Sequence, residues 1–278
     1  MNKTMLRGTL AAALLLVAGS LAAATSAEAS TLPTLTLAVT KTSITVGGTL
    51  ESGGVNVVST ATGTKEASAI LFQVKPGVSL AEVETFLKNP KEKDPNNAAK
   101  YGSIVFDAEV TPGHTSEAQT TLQPGQYLAL VAEGEGGPKT HASFTVAAAK
   151  SPMVLPTPQA TLRSIEFGFR GPSVLHDGEL VRFENEGFLV HMDVAFPIKS
   201  RSDAKKVVKA LLTGKEKGLE KLASGMPFEF AGPISTGAYQ QETITAKPGW
   251  YVQACFMQTQ DGRDHTHLGM ERIIKIVK

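Results

Sequence analysis

The stretch Tyr251-Val252-Gln253-Ala254-Cys255-Phe256, followed by a loop to His265-Thr266-His267-Leu268-Gly269-Met270, decides how this chain folds and what it can hold. It contains the only cysteine of 278 residues and two of six histidines. A thiol, imidazoles and a thioether are the donors that soft-metal sites use, copper sites above all. The alternation before Cys255 predicts a strand, Trp250–Phe256, and period-2 parity points Tyr251, Gln253 and Cys255 to one side. Asp261-Gly262 predicts a turn in the loop that follows. A second candidate imidazole, His191, opens another predicted strand, His191–Phe196. Two strand ends and one loop converging at one end of a β-sandwich would gather Cys255, His191, His265 and Met270. His267, two residues from His265 on the same loop, competes for the second imidazole position.

Outward from that stretch, residues 161–278 read as β-structure: Leu162–Phe169, Glu179–Glu184, Thr243–Ala246 and Arg272–Val277 add to the two strands above. Residues 202–223 predict one or two helices with Val207, Val208, Leu211 and Leu212 as the apolar face. The lysines at 205, 206, 209, 215, 217 and 221 read as a solvated helix face. Trp250 reads as core or as an anchor between the halves. Residues 149–160 carry three prolines and no periodic pattern, which predicts a stiff linker.

Residues 30–148 follow the same plan. Leu35–Val39, Ser43–Val46, Ser68–Val74, Ser103–Val110, Gln126–Val131 and Ala142–Val146 are β-branched runs punctuated by Gly and Pro. Ser79-Leu80-Ala81-Glu82 has the form of a capping box, with Val83, Phe86 and Leu87 on one face of the helix it starts. Lys88–Lys100 reads as a solvated loop. The two halves superimpose in sequence: Leu71-Phe72-Gln73-Val74-Lys75 on Ala195-Phe196-Pro197-Ile198-Lys199, and Pro124-Gly125-Gln126-Tyr127 on Pro248-Gly249-Trp250-Tyr251. On this register Val131 stands at the place of Cys255, Ala67 at that of His191, and His141 opposite His265 with no methionine after it. The chain therefore reads as a duplicated module whose chemistry lies in the second copy. His114 and His176, each beside a turn signal, read as turn residues.

At the N-terminus, Lys3 and Arg7, an apolar run Leu10–Ala18 and Ala27-Glu28-Ala29 read as a secretory signal peptide over residues 1–29. The apolar run is too short to span a membrane. The expected product begins near Ser30 and is periplasmic or extracellular. Losing Lys3 and Arg7 from 27 basic residues and Glu28 from 26 acidic ones leaves the two signs equal. A balanced chain has no electrostatic case for nucleic acid. One cysteine forms no disulfide within the chain.

The second half resembles the cupredoxins, the type 1 blue-copper family. Phe183-Glu184-Asn185-Glu186-Gly187-Phe188-Leu189-Val190-His191 resembles the strand that delivers the first imidazole, and Pro248-Gly249-Trp250-Tyr251 the strand leading to the thiolate. His265 ahead of Gly269-Met270 resembles the second imidazole and the axial thioether. Met192 stands where the family often has an asparagine tying the two ligand loops together. The resemblance implies an all-β chain of two tandem Greek-key sandwiches, each with a short helical insertion. Residues 30–148 would form a degenerate domain without copper ligands, and 161–278 a domain with one copper ion. It implies electron transfer to a redox protein partner, with the His265 edge as the electron exit. A multicopper oxidase or reductase would need further histidines beyond the scattered His114, His141 and His176. The remaining alternative is a cupredoxin-like envelope protein for partner interaction or copper sequestration.

Overall fold

In the first half, alternating apolar residues build the inner layer of a sandwich. β1 (Thr34–Thr40) buries Leu35, Leu37 and Val39 and leaves the residues between them outward. It pairs antiparallel with β2 (Ile44–Gly48) and parallel with β3 (Gly53–Thr62), and β3 pairs antiparallel with β6 (Thr115–Leu122). The facing sheet has the order β5 (Gly102–Val110), β4 (Ala67–Val74), β7 (Gly125–Ala132), β8 (Pro138–Val146). The computed structural model describes residues 31–64, 66–89, 94–133 and 138–278. The expected signal peptide lies outside them. Among the described residues, no helix is long and apolar enough to cross a membrane.

The second half repeats this topology. β9 (Ala160–Ile165) pairs antiparallel with β10 (Gly168–Arg170) and parallel with β12 (Leu180–Asn185), which pairs with β15 (Tyr239–Thr243). The facing sheet runs β11 (Val174–His176), β17 (Glu271–Val277), β16 (Gly249–Ala254), β13 (His191–Ile198), β14 (Phe228–Ile234). Ile70 pairs with Leu130 as Val194 pairs with Ala254, so the register inferred from sequence is the register of the sheets. Each copy also keeps the same corner. The Tyr127 hydroxyl donates to the Gln123 carbonyl at 2.9 Å, and that of Tyr251 to the Lys247 carbonyl at 2.7 Å. Each such bond contributes about 1 kcal/mol.

One helix interrupts each copy at the same place. α1 (Leu80–Leu87) starts at the expected capping box, with Ser79 N–H donating to the Glu82 carboxylate at 2.8 Å. α2 (Arg201–Leu212) is capped by Ser200 and buries Ala204, Val207 and Leu211, whereas Leu212 is exposed. The lysines of this region are exposed, as read. Leu219–Leu222 forms a short 3₁₀ turn.

Several elements correct the sequence reading. β3, β6, β11 and β14 were not foreseen, and the strand expected at Thr243–Ala246 is β15, ending at Thr243. Leu162–Phe169 is two strands, β9 and the start of β10, turning at Glu166-Phe167. Lys88–Lys100 contains a 3₁₀ turn, Pro95–Lys100. His176 lies in β11 with its Nδ1 3.1 Å from the Lys278 carbonyl. Trp250 is half-buried, with Arg201 and Lys275 over its ring, each 5.4 Å from the centroid. β6 was not foreseen and β15 was expected too late in the sequence because both are polar, and they are polar because they meet. They join two four-stranded sheets into one of eight strands, in register at Gln119 and Gln241. Around that rung Gln241 donates to Gln119 Oε1 at 2.9 Å, Thr120 to the Tyr239 carbonyl at 2.8 Å, and the Tyr239 hydroxyl bonds Thr121 at 2.8 Å.

Apolar packing crosses between the halves as well. Leu71, Ala129 and Val131 face the first-half core, while Ile70, Phe72, Leu128 and Leu130 on the opposite face share one cluster with Phe183, Phe230 and Ile274. The described residues 32–278 accordingly form one compact unit. Buried carboxyls lie along the boundary. Asp107 of β5 is 1% exposed. Burial first, then the nearby Glu229, push its carboxyl well above the carboxylate range. Glu229 of β14 is pushed up to about 7, chiefly by burial. A carboxyl whose folded pKa is raised stabilises the fold fully below its unfolded pKa and loses that contribution as pH rises through the folded value. Stability should therefore fall from about pH 4 upward on account of these groups. Asp107→Asn, nearly isosteric and uncharged, should gain unfolding midpoint relative to the native chain as pH is raised from 4 to 8. A midpoint difference that does not change with pH would refute this.

Candidate metal centre

The pairing of β13 with β16 sets the site. Val194 opposite Ala254 carries His191 and Cys255 to the same end of the sheet. β13 is irregular where it pairs with β14 between His191 and Val194, and such a bulge re-aims a strand end. Cys255 lies just beyond β16, and its main-chain N–H donates to the Met270 carbonyl at 3.2 Å. The following loop closes through His265 N–H on the Met257 carbonyl at 2.9 Å and a turn at Gly262. His265–Leu268 is a 3₁₀ turn, stopped by Gly269 at φ +99°. The left-handed conformation that releases the chain into β17 suits glycine there. Met270 N–H then donates to the His265 carbonyl at 3.0 Å.

This path brings three donors together. Cys255 Sγ lies 3.7 Å from His191 Nδ1 and 3.4 Å from His265 Nδ1. Ligand bonds of about 2.0–2.3 Å meeting at tetrahedral to trigonal angles separate donors by about 3.5–3.8 Å. The spacing fits one metal ion, and the sulfur–nitrogen set fits a soft one. Among the described residues, His191, Cys255 and His265 are the one such group of His, Cys, Asp or Glu donors. All three are 0% exposed, as is Met270. Met270 is tied through its main chain to both Cys255 and His265. His267 points elsewhere, with Nδ1 3.4 Å from the Asp264 carboxylate and Nε2 4.0 Å from Glu216.

Burial determines the protonation states. It pushes the Cys255 thiol up to about 12, against the lowering effect of N–H donors from Met192 and Met257. It lowers His191 to about 4, helped by the charge of His265, and it lowers His265 too. At neutral pH the pocket therefore holds a thiol and two neutral rings. A cation arriving there finds two imidazole lone pairs and displaces a thiol proton, as coordinated thiols are deprotonated.

The surroundings contain residues that the sequence did not single out. The turn between β9 and β10 lies against both rings. Glu166 Oε1 lies 3.5 Å from His191 Nε2 and accepts from the N–H groups of Leu189, at 2.9 Å, and Phe188. Partial burial pushes the Glu166 carboxyl up, but those N–H donors and the His191 ring outweigh it and hold it low. Phe167 meets the His265 ring edge-on, 5.2 Å between centroids. His265 is fully buried behind this contact. Gly187 is required by space: a Cβ there would lie 2.5 Å from Glu166 Oε1 and 2.7 Å from His191 Nε2. Gln253 points inward as parity predicts, donating to Asp193 Oδ2 at 2.5 Å and accepting from Arg272 at 2.6 Å. Arg272 also donates to the carbonyls of Gly171 and Pro172.

Among the described residues, the first half has no such group. Ala67 and Val131 are apolar and buried, and His141 lies in β8 with Nε2 3.4 Å from Glu84. Two outcomes follow from this geometry. A thiol reagent at pH 8 should leave Cys255 unmodified in the native metal-free protein and titrate one thiol after denaturation; prompt reaction of the native protein would contradict the burial. Gly187→Ala should displace the His191 ring, shifting its NMR resonances while those of His141 stay in place.

No protein-family model matches the sequence, and no curated protein matches it. Solved structures similar in fold include the dithionite-reduced auracyanin of Roseiflexus castenholzii, at 17% identity and TM-score 0.26 over 42% of this chain and 95% of that one. An azurin of Methylomonas sp. strain J aligns at 17% and 0.24 over 42% and 96%. A copper-containing nitrite reductase of Thermus scotoductus aligns at 14% and 0.26 over 88% and 67%. The chain is a tandem pair of β-sandwiches with the same strand order, of which the second carries the His–Cys–His cluster.

Proposed function

We propose that His191, Cys255 and His265 of the second half, with Met270 as a fourth donor, would hold one copper ion, and that the protein passes single electrons to a redox protein partner. The convergence of two Nδ1 atoms on one sulfur at 3.4 and 3.7 Å carries this reading. Copper, once bound, supplies a one-electron couple. The chain supplies rigidity and exclusion of water. Main-chain bonds join Cys255 to Met270 and Met270 to His265, and Met192 N–H donates to the sulfur at 3.4 Å. A site held this firmly undergoes little rearrangement when its charge changes, and a buried one admits no substrate to its ligands. Both favour electron transfer over turnover of a small molecule. The signal-like N-terminus supports export to the periplasm or beyond.

Copper titration tests the reading. Cu(II) added to the metal-free protein should bind at one equivalent per chain and give an intense visible thiolate-to-copper absorption. Cys255→Ser and His191→Ala should abolish that band, whereas His267→Ala should keep it. A colourless stoichiometric complex would favour copper sequestration, and a band that survives Cys255→Ser would remove this cluster as its source.

A further inference from the structure

The 3₁₀ turn Pro95–Lys100 belongs to the first half, between α1 and β5, yet it reaches the second half's site. Asp94 caps it, its Oδ1 accepting from the main-chain N–H of Asn96 at 2.9 Å and from Asn96 Nδ2 at 2.7 Å. Asn96 is thereby fixed before it touches anything else. Its Oδ1 accepts from Val190 N–H at 2.7 Å, one residue before His191. Its Nδ2 also donates to the Gln258 carbonyl at 3.3 Å, in the loop joining Cys255 to His265. Gln258 is itself tied to Asp264, beside His265, at 2.8 Å. Only one orientation of the amide satisfies Val190 as donor and Asp94 and Gln258 as acceptors, so its identity as Asn is used at both ends.

We infer that Asn96 is a positioning residue that the first half contributes to the site, strapping the His191 loop to the Cys255–His265 loop. It contacts no donor atom and acts through main-chain groups next to His191 and within the ligand loop. The inference rests on the proposed copper reading only for its metal-dependent readouts. Without the strap the two loops remain attached to separate strand ends and vary independently, which loosens the donor spacing. The halves keep their other bonds, among them Ile104 N–H on Ser235 Oγ at 2.9 Å and the Gln119–Gln241 rung. Loss of Asn96 should therefore disturb the site more than the fold.

The test uses the full chain carrying Asn96→Ala, with Lys100→Ala on the same turn as control. In the metal-free protein, amide exchange at Val190 should quicken about tenfold, the effect of one lost hydrogen bond. In the copper-loaded protein, transfer of copper to a chelator should quicken about 10- to 100-fold, the usual effect of losing an outer-shell partner. The visible band should shift, while the unfolding midpoint stays near that of the control. Asn96→Asp keeps an acceptor for Val190 but loses the donor to Gln258 and sets its carboxylate against that of Asp94, so it too should quicken copper release. Unchanged Val190 exchange and copper release in Asn96→Ala would overturn the inference, as would changes that merely track a fall in global stability. Should the native chain take up no copper, the proposed function fails by itself, and Val190 exchange still decides whether the strap exists.

Discussion

Everything at the site depends on the antiparallel pairing of β13 with β16. A strand advances about 3.4 Å per residue. A two-residue slip would keep every side chain on its own face and still move Cys255 far out of reach of His191. A one-residue slip would turn the sulfur to the other side of the sheet. The register is held by Tyr251, whose hydroxyl pins the start of β16, and by Asp193, Gln253 and Arg272, which bond across three adjacent strands. Polar groups at this depth are costly unless partnered. Here Asp193 Oδ2, both ends of the Gln253 amide and the Arg272 guanidinium find partners in one alignment, which makes them markers of register as well as of burial.

The second constraint is enclosure. The pocket holds a thiol and two neutral rings with the Glu166 carboxylate beside one of them, and the residues that surround and brace it come from three places in the chain. The β9–β10 turn supplies Glu166 and Phe167, the loop before β13 supplies Gly187, and the first half supplies Asn96. The first half, with alanine and valine where the second has histidine and cysteine, is thus part of the enclosure. The boundary is chemically mixed for the same reason. Apolar side chains of β4 and β7 pack across it, and the polar strands β6 and β15 join over it.

The β-sandwich pairing and the cluster were legible because they rest on local signals. Alternation gave the outer strands, the Pro-Gly-x-Tyr motif gave the start of β7 and of β16, and the rarity of cysteine marked the centre. Four strands were not legible. β3 and β6 do bury Val55, Val57 and Ala61, and Ala118 and Leu122, in the first-half core, but the Gly, Asn, Ser, Thr and Gln interspersed with them dilute the alternation. β14 contains glycine and proline, and its Gly232 is needed because a Cβ would lie 2.5 Å from Asp107. The choice between His265 and His267 could not be made from spacing; it is made by a 3₁₀ turn that directs one ring inward and the other toward Glu216. Asn96 and Glu166 had no signal at all, since their meaning exists only across long separations in sequence.

The eight-stranded sheet bears on how this chain behaves among its own kind. An open sheet offers unpaired N–H and C=O groups at its margins, and such margins recruit strands from other molecules. Two free-standing sandwiches would leave β6 and β15 bare on that side. Joined at Gln119 and Gln241 and flanked by Thr120, Thr121 and Tyr239, each margin is shielded by its twin. Duplication here doubles as protection against self-association, and cutting the chain between its halves would create two sticky edges where the intact molecule exposes neither.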